Sequence, residues 1–169
     1  MTKANTRTTR KNNIMKIAEA ESATEYQVDR LGLRIDNRIF DSVVALRVHG
    51  FDTKASCEGH MRWGEPAPWM DIGVVASQTI PKDTKPLLQS NLHAQKRMIE
   101  LLDRFHRLHF ASDSVRIIVV PVGIFGGFRI TNQAANIQRL FPVKSRRGKL
   151  LQFQNEFRAF AKFLKGTLP

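Results

Sequence analysis

The sequence contains one cysteine in 169 residues and no long apolar run. A single cysteine excludes a disulfide within the chain and a structural zinc site built on several cysteines. No apolar stretch approaches the roughly 20 residues of a membrane-spanning helix. Residues 1–13 are polar and lack the apolar segment of a secretory signal. These absences favour a cytoplasmic protein without a membrane segment.

Acidic side chains are also scarce, 15 against 27 basic ones, so the formal charge is +12. Residues 1–11 carry four basic side chains and no acidic one, and residues 142–169 carry seven against Glu156 alone. Such clusters can neutralise the phosphates of nucleic acid, although they can also serve only to keep a protein soluble. The candidate nucleic-acid-binding residues are Arg7, Arg10, Lys11, Arg146, Arg147 and Lys149.

The length and the 42% of hydrophobic residues suit one globular domain. We expect a disordered basic tail over residues 1–13 and a single α+β domain over residues 14–169, and we take the chain to be a monomer. The secondary structure is predicted from the spacing of the apolar residues, which repeats about every 3.6 residues in a helix and every two residues in a strand.

Helical periodicity predicts four helices, at residues 14–26, 37–48, 86–109 and 148–165. The apolar face of the third helix is expected to contain Leu88, Leu92, Ile99, Leu102 and Phe105. The apolar stripe of the last helix is expected to contain Phe153, Phe157, Phe160 and Leu164.

Alternating or β-branched apolar residues predict strands at residues 51–57, 69–75, 115–120 and 128–131. The order helix, strand, strand therefore occurs twice before a C-terminal helix. Short links within each strand pair favour antiparallel neighbours. The sequence thus predicts a two-layer α+β fold, in which helices pack against a four-stranded, mainly antiparallel sheet.

The segment at the end of the first strand places Cys57 three residues before His60, across Gly59. A thiol is a nucleophile only as thiolate, and a nearby imidazole commonly lowers its pKa. Glu58 or Asp71 could orient the imidazole. The candidate catalytic residues are Cys57, His60 and Asp71. The alternative is that Cys57 is a small buried side chain, Gly59 supplies a positive φ, and His60 packs on the turn.

Two tryptophans flank a proline-bearing loop beside this segment and could form a stacking wall for a planar ligand, or a lid over the core. The candidate ligand-binding residues are Ser56, Glu58, Gly59, Trp63 and Trp69.

Asp103, His106 and His109 are spaced three apart on a predicted helix. Two of them can converge, but the third rotates off that face, which favours solvated residues over a metal site. No metal is therefore assigned. The glycines of residues 123–127 lack the spacing of a nucleotide-binding loop and predict a hairpin turn.

Residues 50–60, with the motif Ser-Cys-Glu-Gly-His, and residues 66–72, with Pro-Trp-Met-Asp-Ile, resemble a group of uncharacterised bacterial proteins. The end of the chain, residues 157–165, also resembles the end of those proteins. The resemblance implies a bacterial, cytoplasmic protein and implies no particular activity.

The same region is also similar to the methyltransferase of tRNA wybutosine synthesis, whose Ser-Cys-Ser-Gly-Arg motif follows an Ile-Asp pair, a helix and a threonine-bearing strand. Here Ile35-Asp36 precede the helix, and Glu58 and His60 depart from the family's serine and arginine. This similarity implies S-adenosylmethionine as a cofactor.

Two functions remain open on the sequence. One is an enzyme with a pocket at residues 56–60, acting on nucleic acid in the manner of an S-adenosylmethionine-dependent methyltransferase. The other is a basic nucleic-acid-binding or accessory protein of mobile elements, without catalytic activity.

Overall fold

The computed structural model of the chain describes residues 3–25, 34–61, 64–74 and 83–168, with the side chains of the first helix described from Asn12 onward. The helices and strands, in chain order, are α1 (Lys3–Glu25), α2 (Asn37–Val48), β1 (Thr53–Cys57), β2 (Trp69–Ile72), α3 (Lys85–Leu108), β3 (Ile117–Pro121), β4 (Phe128–Asn132), a 3-10 helix (Ala135–Leu140) and α4 (Val143–Gly166).

The four strands form one sheet in the order β1-β2-β4-β3, and every neighbouring pair is antiparallel. The register places Cys57 opposite Trp69, and Asp71 opposite Arg129. This topology confirms the predicted α+β fold, with two helix-strand-strand units and a closing helix.

Helices α2, α3 and α4 share one hydrophobic core with the sheet. Met70 and Ile72 alternate with Trp69 and Asp71 along β2, so they point into this core while their neighbours point to the other face. The predicted stripe of α4 is confirmed, since Phe153, Phe157, Phe160 and Leu164 are fully buried. The core therefore lies on one side of the sheet.

The apolar face predicted for α3 is partly wrong. Leu102 and Phe105 are buried, but Leu88, Leu92 and Ile99 are exposed. Asn91 and Met98 are buried instead. The helix has apolar side chains on two faces, and periodicity alone does not say which of them meets the sheet.

Two helices begin earlier than expected. The chain is helical from Lys3, within the segment expected to be a disordered tail, and residues 3–11 contain no glycine or proline to interrupt a helix. Helix α4 begins at Val143, five residues before Gly148, after a 3-10 helix that the sequence did not predict.

Helix α1 contacts the rest of the chain through its C-terminal half. Arg47 of α2 donates a hydrogen bond to the Thr24 hydroxyl, and the Lys165 amine lies 3.5 Å from a Glu21 carboxylate oxygen. None of the helices in the described ranges is both long enough and apolar enough to cross a bilayer.

Candidate functional site

The turn at residues 56–60 is fixed by its glycine. Gly59 has a φ of +84° and is buried, and a Cβ at this position would lie 2.7 Å from Leu150 Cδ1 and 2.8 Å from the Ala67 carbonyl carbon. Both the backbone conformation and the lack of space require glycine here. The positive φ belongs to the alternative interpretation of the motif, and that part of it is confirmed. The turn packs against α4 and the loop that precedes β2.

The N-terminus of α2 joins the same turn through two carboxylates. Asp36 is the N-cap residue of α2, but its side chain does not cap the helix. Its carboxylate instead accepts a hydrogen bond from the backbone N–H of Glu58, at 3.0 Å, and the Glu58 carboxylate accepts one from the N–H of Arg38, at 3.2 Å. Glu58 therefore supplies the helix cap, which leaves Asp36 directed towards the end of β1.

A buried glutamine of α4 connects these two segments. Gln154 donates through Nε2 to the Glu58 carbonyl, at 2.9 Å, and accepts through Oε1 from the Arg38 guanidinium, at 2.8 Å. On the far side of the turn, the His60 N–H donates to the Glu65 carbonyl. The positions of Cys57 and His60 are thus set by contacts with α2, α4 and the following loop.

These contacts bring three metal-ligating side chains together. The ligating atoms of Asp36, Cys57 and His60 all lie within 4.8 Å of one another. Asp36 and Cys57 are half-buried, whereas His60 is exposed. We call these three residues the Cys57 cluster. It is the one group of this kind among the residues that the structure describes.

The surroundings of the thiol do not favour thiolate. Burial raises the pKa of Cys57, the N–H of Gly59 lowers it, and the nearby carboxylates of Asp36, Glu58 and Glu65 raise it further. This direction is opposite to the activation expected from the imidazole of His60. These surroundings therefore disfavour the thiolate, which is the form in which a cysteine acts as a nucleophile.

Asp71 lies outside the Cys57 cluster. Both of its carboxylate oxygens accept hydrogen bonds from Arg129, at 2.6 and 3.0 Å, and the same guanidinium stacks over the Trp69 ring at 3.9 Å. Asp71 is 8% exposed. The carboxylate beside Cys57 and His60 is Asp36, and Asp71 and Trp69 belong to a polar stack on the outer face of the sheet.

Two predicted ligand-binding residues remain, Ser56 and Trp63. Ser56 pairs with Met70 in the register and points away from Cys57, because neighbouring strand residues face opposite sides. Trp63 lies outside the described residues.

A cavity of about 390 Å³ opens beside His60. Its polar side chains come from His60, Gln138, Arg139 and Arg146, and Met61, Gly64 and Pro66 complete its wall. Arg139 donates to the Gly64 carbonyl at 2.7 Å, and Arg146 donates to the carbonyls of Phe141 and Arg139. No carboxylate lines the cavity among the described residues, so its walls favour an anion.

The other predicted basic residues do not share this cavity. Lys149 is half-buried, and its amine donates to the Ser114 hydroxyl at 2.6 Å and lies over the Phe153 ring. Arg147 is exposed on α4. Arg7, Arg10 and Lys11 lie on α1, and their side chains are outside the described part of the structure.

Two histidines at the C-terminal end of α3, His106 and the C-cap residue His109, form a second cluster with α4. His109 Nε2 lies 3.0 Å from one oxygen of Glu156, and His106 Nδ1 lies 3.9 Å from the other. His106 Nε2 lies 3.0 Å from the Ile117 carbonyl. Glu156 is 4% exposed. We call His106, His109 and Glu156 the Glu156 cluster. Asp103, which shares the spacing of the histidines in the sequence, pairs with Arg107 and does not belong to the cluster.

Comparison of the chain with protein-family models, curated proteins and solved structures gives no match.

Sequence reasoning did not select three of the residues that build the site. Asp36 is 21 positions from Cys57 in the sequence, and only its place in the Ile-Asp pair marked it. Gln138 and Arg139 lie in the 3-10 helix, whose short period gave no signal. All three reach the turn by tertiary contacts alone.

Proposed function

We propose that this protein binds nucleic acid through its phosphates, at the cavity beside the 56–60 turn. One observation carries the proposal: His60, from the loop after β1, lines the same cavity as Arg139 and Arg146, from the C-terminal third of the chain. The fold thereby joins the two sequence features, the motif and the basic C-terminal segment, in one place.

The two arginines retain binding capacity after their contacts within the fold. Arg139 uses one terminal nitrogen on the Gly64 carbonyl, and Arg146 uses Nε and one terminal nitrogen on backbone carbonyls. A guanidinium has further N–H groups in a planar fork, which matches the oxygens of a phosphate. The contacts with backbone carbonyls hold both groups in position before the ligand arrives.

A salt titration tests the proposal. The intact chain should bind a short DNA duplex in fluorescence anisotropy, and log affinity should fall linearly with log salt by about 0.9 per phosphate neutralised. Changing Arg139 and Arg146 together to Gln should weaken binding and reduce the slope by about one for each arginine that neutralises a phosphate.

The matched control is the double variant Lys96→Gln and Arg104→Gln. It removes the same charge from exposed positions of α3 that do not line the cavity. Its slope should equal that of the unaltered chain. An equal loss in both double variants, or no binding by the intact chain at low salt, would contradict the proposal; thermal unfolding shows whether Arg146→Gln has disturbed the fold.

A second candidate function is methyl transfer from S-adenosylmethionine to nucleic acid. It is favoured by one observation: the segments that carry the methyltransferase resemblance, Ile35-Asp36 and residues 56–59, meet through the hydrogen bond from Glu58 N–H to Asp36. Calorimetric titration of the chain with S-adenosylmethionine should then give heat that Asp36→Asn reduces. Absence of heat at millimolar ligand would remove this candidate.

A further inference from the structure

We propose that Asp36, Cys57 and His60 form a binding site for one divalent transition-metal ion, of which zinc is the best fit. The proposal concerns the same turn as the nucleic-acid cavity, but it stands on a different set of contacts and does not depend on nucleic-acid binding.

Three donor atoms of different chemistry lie within 4.8 Å of one another, and they come from three separate segments: the N-terminus of α2, the end of β1 and the following turn. Modest movement of an exposed imidazole would bring all three to one ion, because His60 has space to adjust.

The donor set selects the metal. A sulfur, an imidazole nitrogen and a carboxylate oxygen together suit zinc and its neighbours in the first transition row, whereas magnesium and calcium prefer oxygen ligands alone. Three protein ligands leave a fourth position open, as in zinc sites that bind water or substrate. Since His60 also lines the cavity, an ion held by it would lie at the cavity's edge.

The surrounding contacts orient the ligands. The Glu58 N–H donates to the Asp36 carboxylate, and the Gly59 N–H lies 3.4 Å from Cys57 Sγ as a donor to sulfur. Hydrogen bonds of this kind fix ligand orientation in metal sites. Gly59 is buried and has no room for a side chain, so the turn that presents Cys57 and His60 is already formed before a metal ion binds.

The local charge favours a cation. In a chain with a formal charge of +12, two carboxylates lie at this turn: that of Asp36, which accepts from the Glu58 N–H, and that of Glu58, which accepts from the Arg38 N–H. This negative patch adjoins a cavity lined by arginines, so the site offers a metal position on one side of His60 and an anion position on the other.

Cobalt titration of the chelator-treated full chain, without nucleic acid, tests the proposal. Cobalt(II) should displace the proton of the Cys57 thiol into solvent and produce a thiolate-to-metal charge-transfer band in the near ultraviolet that saturates at one ion per chain. Added zinc should abolish the band because zinc binds such sites more tightly. Excess magnesium should leave the band unchanged.

Single substitutions test each of the three ligands separately. Cys57→Ser should remove the band, and Asp36→Asn and His60→Gln should each weaken cobalt affinity by about tenfold or more. His93→Gln, at an exposed position of α3, is the control and should bind as the unaltered chain does. His60 is exposed, so its replacement tests the site even if Asp36→Asn impairs folding.

Absence of the band in the intact chain would overturn the proposal. So would saturation at half an ion per chain, which indicates a site shared by the cysteines of two chains, or unchanged affinity in His60→Gln. Because the titration contains no nucleic acid, failure here is distinguishable from failure of the proposed nucleic-acid binding.

Discussion

The Cys57 cluster and the Glu156 cluster contain similar chemical groups in very different surroundings. In the Glu156 cluster, the imidazoles lie against a carboxylate buried between α3 and α4 and against the Ile117 carbonyl. In the Cys57 cluster, the hydrogen bonds to Asp36 and Cys57 come from the backbone of the turn, and none joins the three side chains to one another within the described residues.

The contacts of the two clusters indicate different roles. In the Glu156 cluster one ring nitrogen of each histidine has a partner inside the fold, the Glu156 carboxylate for His109 and the Ile117 carbonyl for His106, and such buried contacts contribute to packing and stability. In the Cys57 cluster the three ligating atoms converge without bonding to one another, as the proposed metal site requires. We therefore assign a structural role to the Glu156 cluster and a binding role to the Cys57 cluster.

The largest effect is expected from Gly59→Ala. The positive φ and the close approach of Leu150 and Ala67 should together reduce the free energy of unfolding by about 3 kcal/mol. Gly148→Ala is the matched control, since nothing lies within 4 Å of a Cβ there and α4 continues through it. It should be neutral or stabilising by up to about 1 kcal/mol. Urea unfolding measures both, and equal losses would contradict a preformed turn.

Glu156→Gln should give the next largest effect. The buried carboxylate accepts a hydrogen bond from His109, and its neutral replacement should reduce the free energy of unfolding by about 2 kcal/mol. Cobalt affinity should not change. A Glu156→Gln variant that loses cobalt binding but keeps its stability would reverse the roles assigned to the two clusters.

A smaller effect is expected on the reactivity of Cys57 in the metal-free chain. Because burial and neighbouring carboxylates raise the pKa of the thiol, its alkylation rate should rise with pH to a midpoint above that of a free thiol. Asp36→Asn removes one of the charges that raise this pKa, so the midpoint should move down and the rate at neutral pH should increase severalfold. Iodoacetamide kinetics against pH measure this.

Asp103→Asn is the control for the alkylation test, since it removes an exposed carboxylate of α3 that pairs with Arg107. It should leave the profile unchanged. An Asp36→Asn profile that coincides with that of the unaltered chain would show that Asp36 does not act on the thiol.

Most of the fold could be predicted from the sequence. The spacing of the apolar residues predicts helix α2 and the four strands. It also predicts the burial of Phe157 and Met70, and both are buried. The faces of α3 could not be predicted, because apolar residues such as Leu92 and Leu102 occupy both sides and only packing selects one.

The site was less predictable than the fold. The sequence directed attention to Cys57 and His60 through their spacing, but it offered Asp71 as their acidic partner. Asp71 is bound to Arg129 across the sheet, and the acid beside the thiol is Asp36. Which of several carboxylates reaches a turn depends on strand register and helix placement, and neither is encoded in local spacing.

X-ray absorption of the zinc-loaded chain most directly tests whether the Cys57 cluster binds a metal ion with one sulfur ligand. The spectrum should show a single sulfur neighbour at about 2.3 Å and the remaining neighbours, nitrogen or oxygen, at about 2.0–2.2 Å, with the sulfur lost in Cys57→Ser. A zinc environment without sulfur, or with two or more sulfur atoms, would contradict metal binding by this cluster.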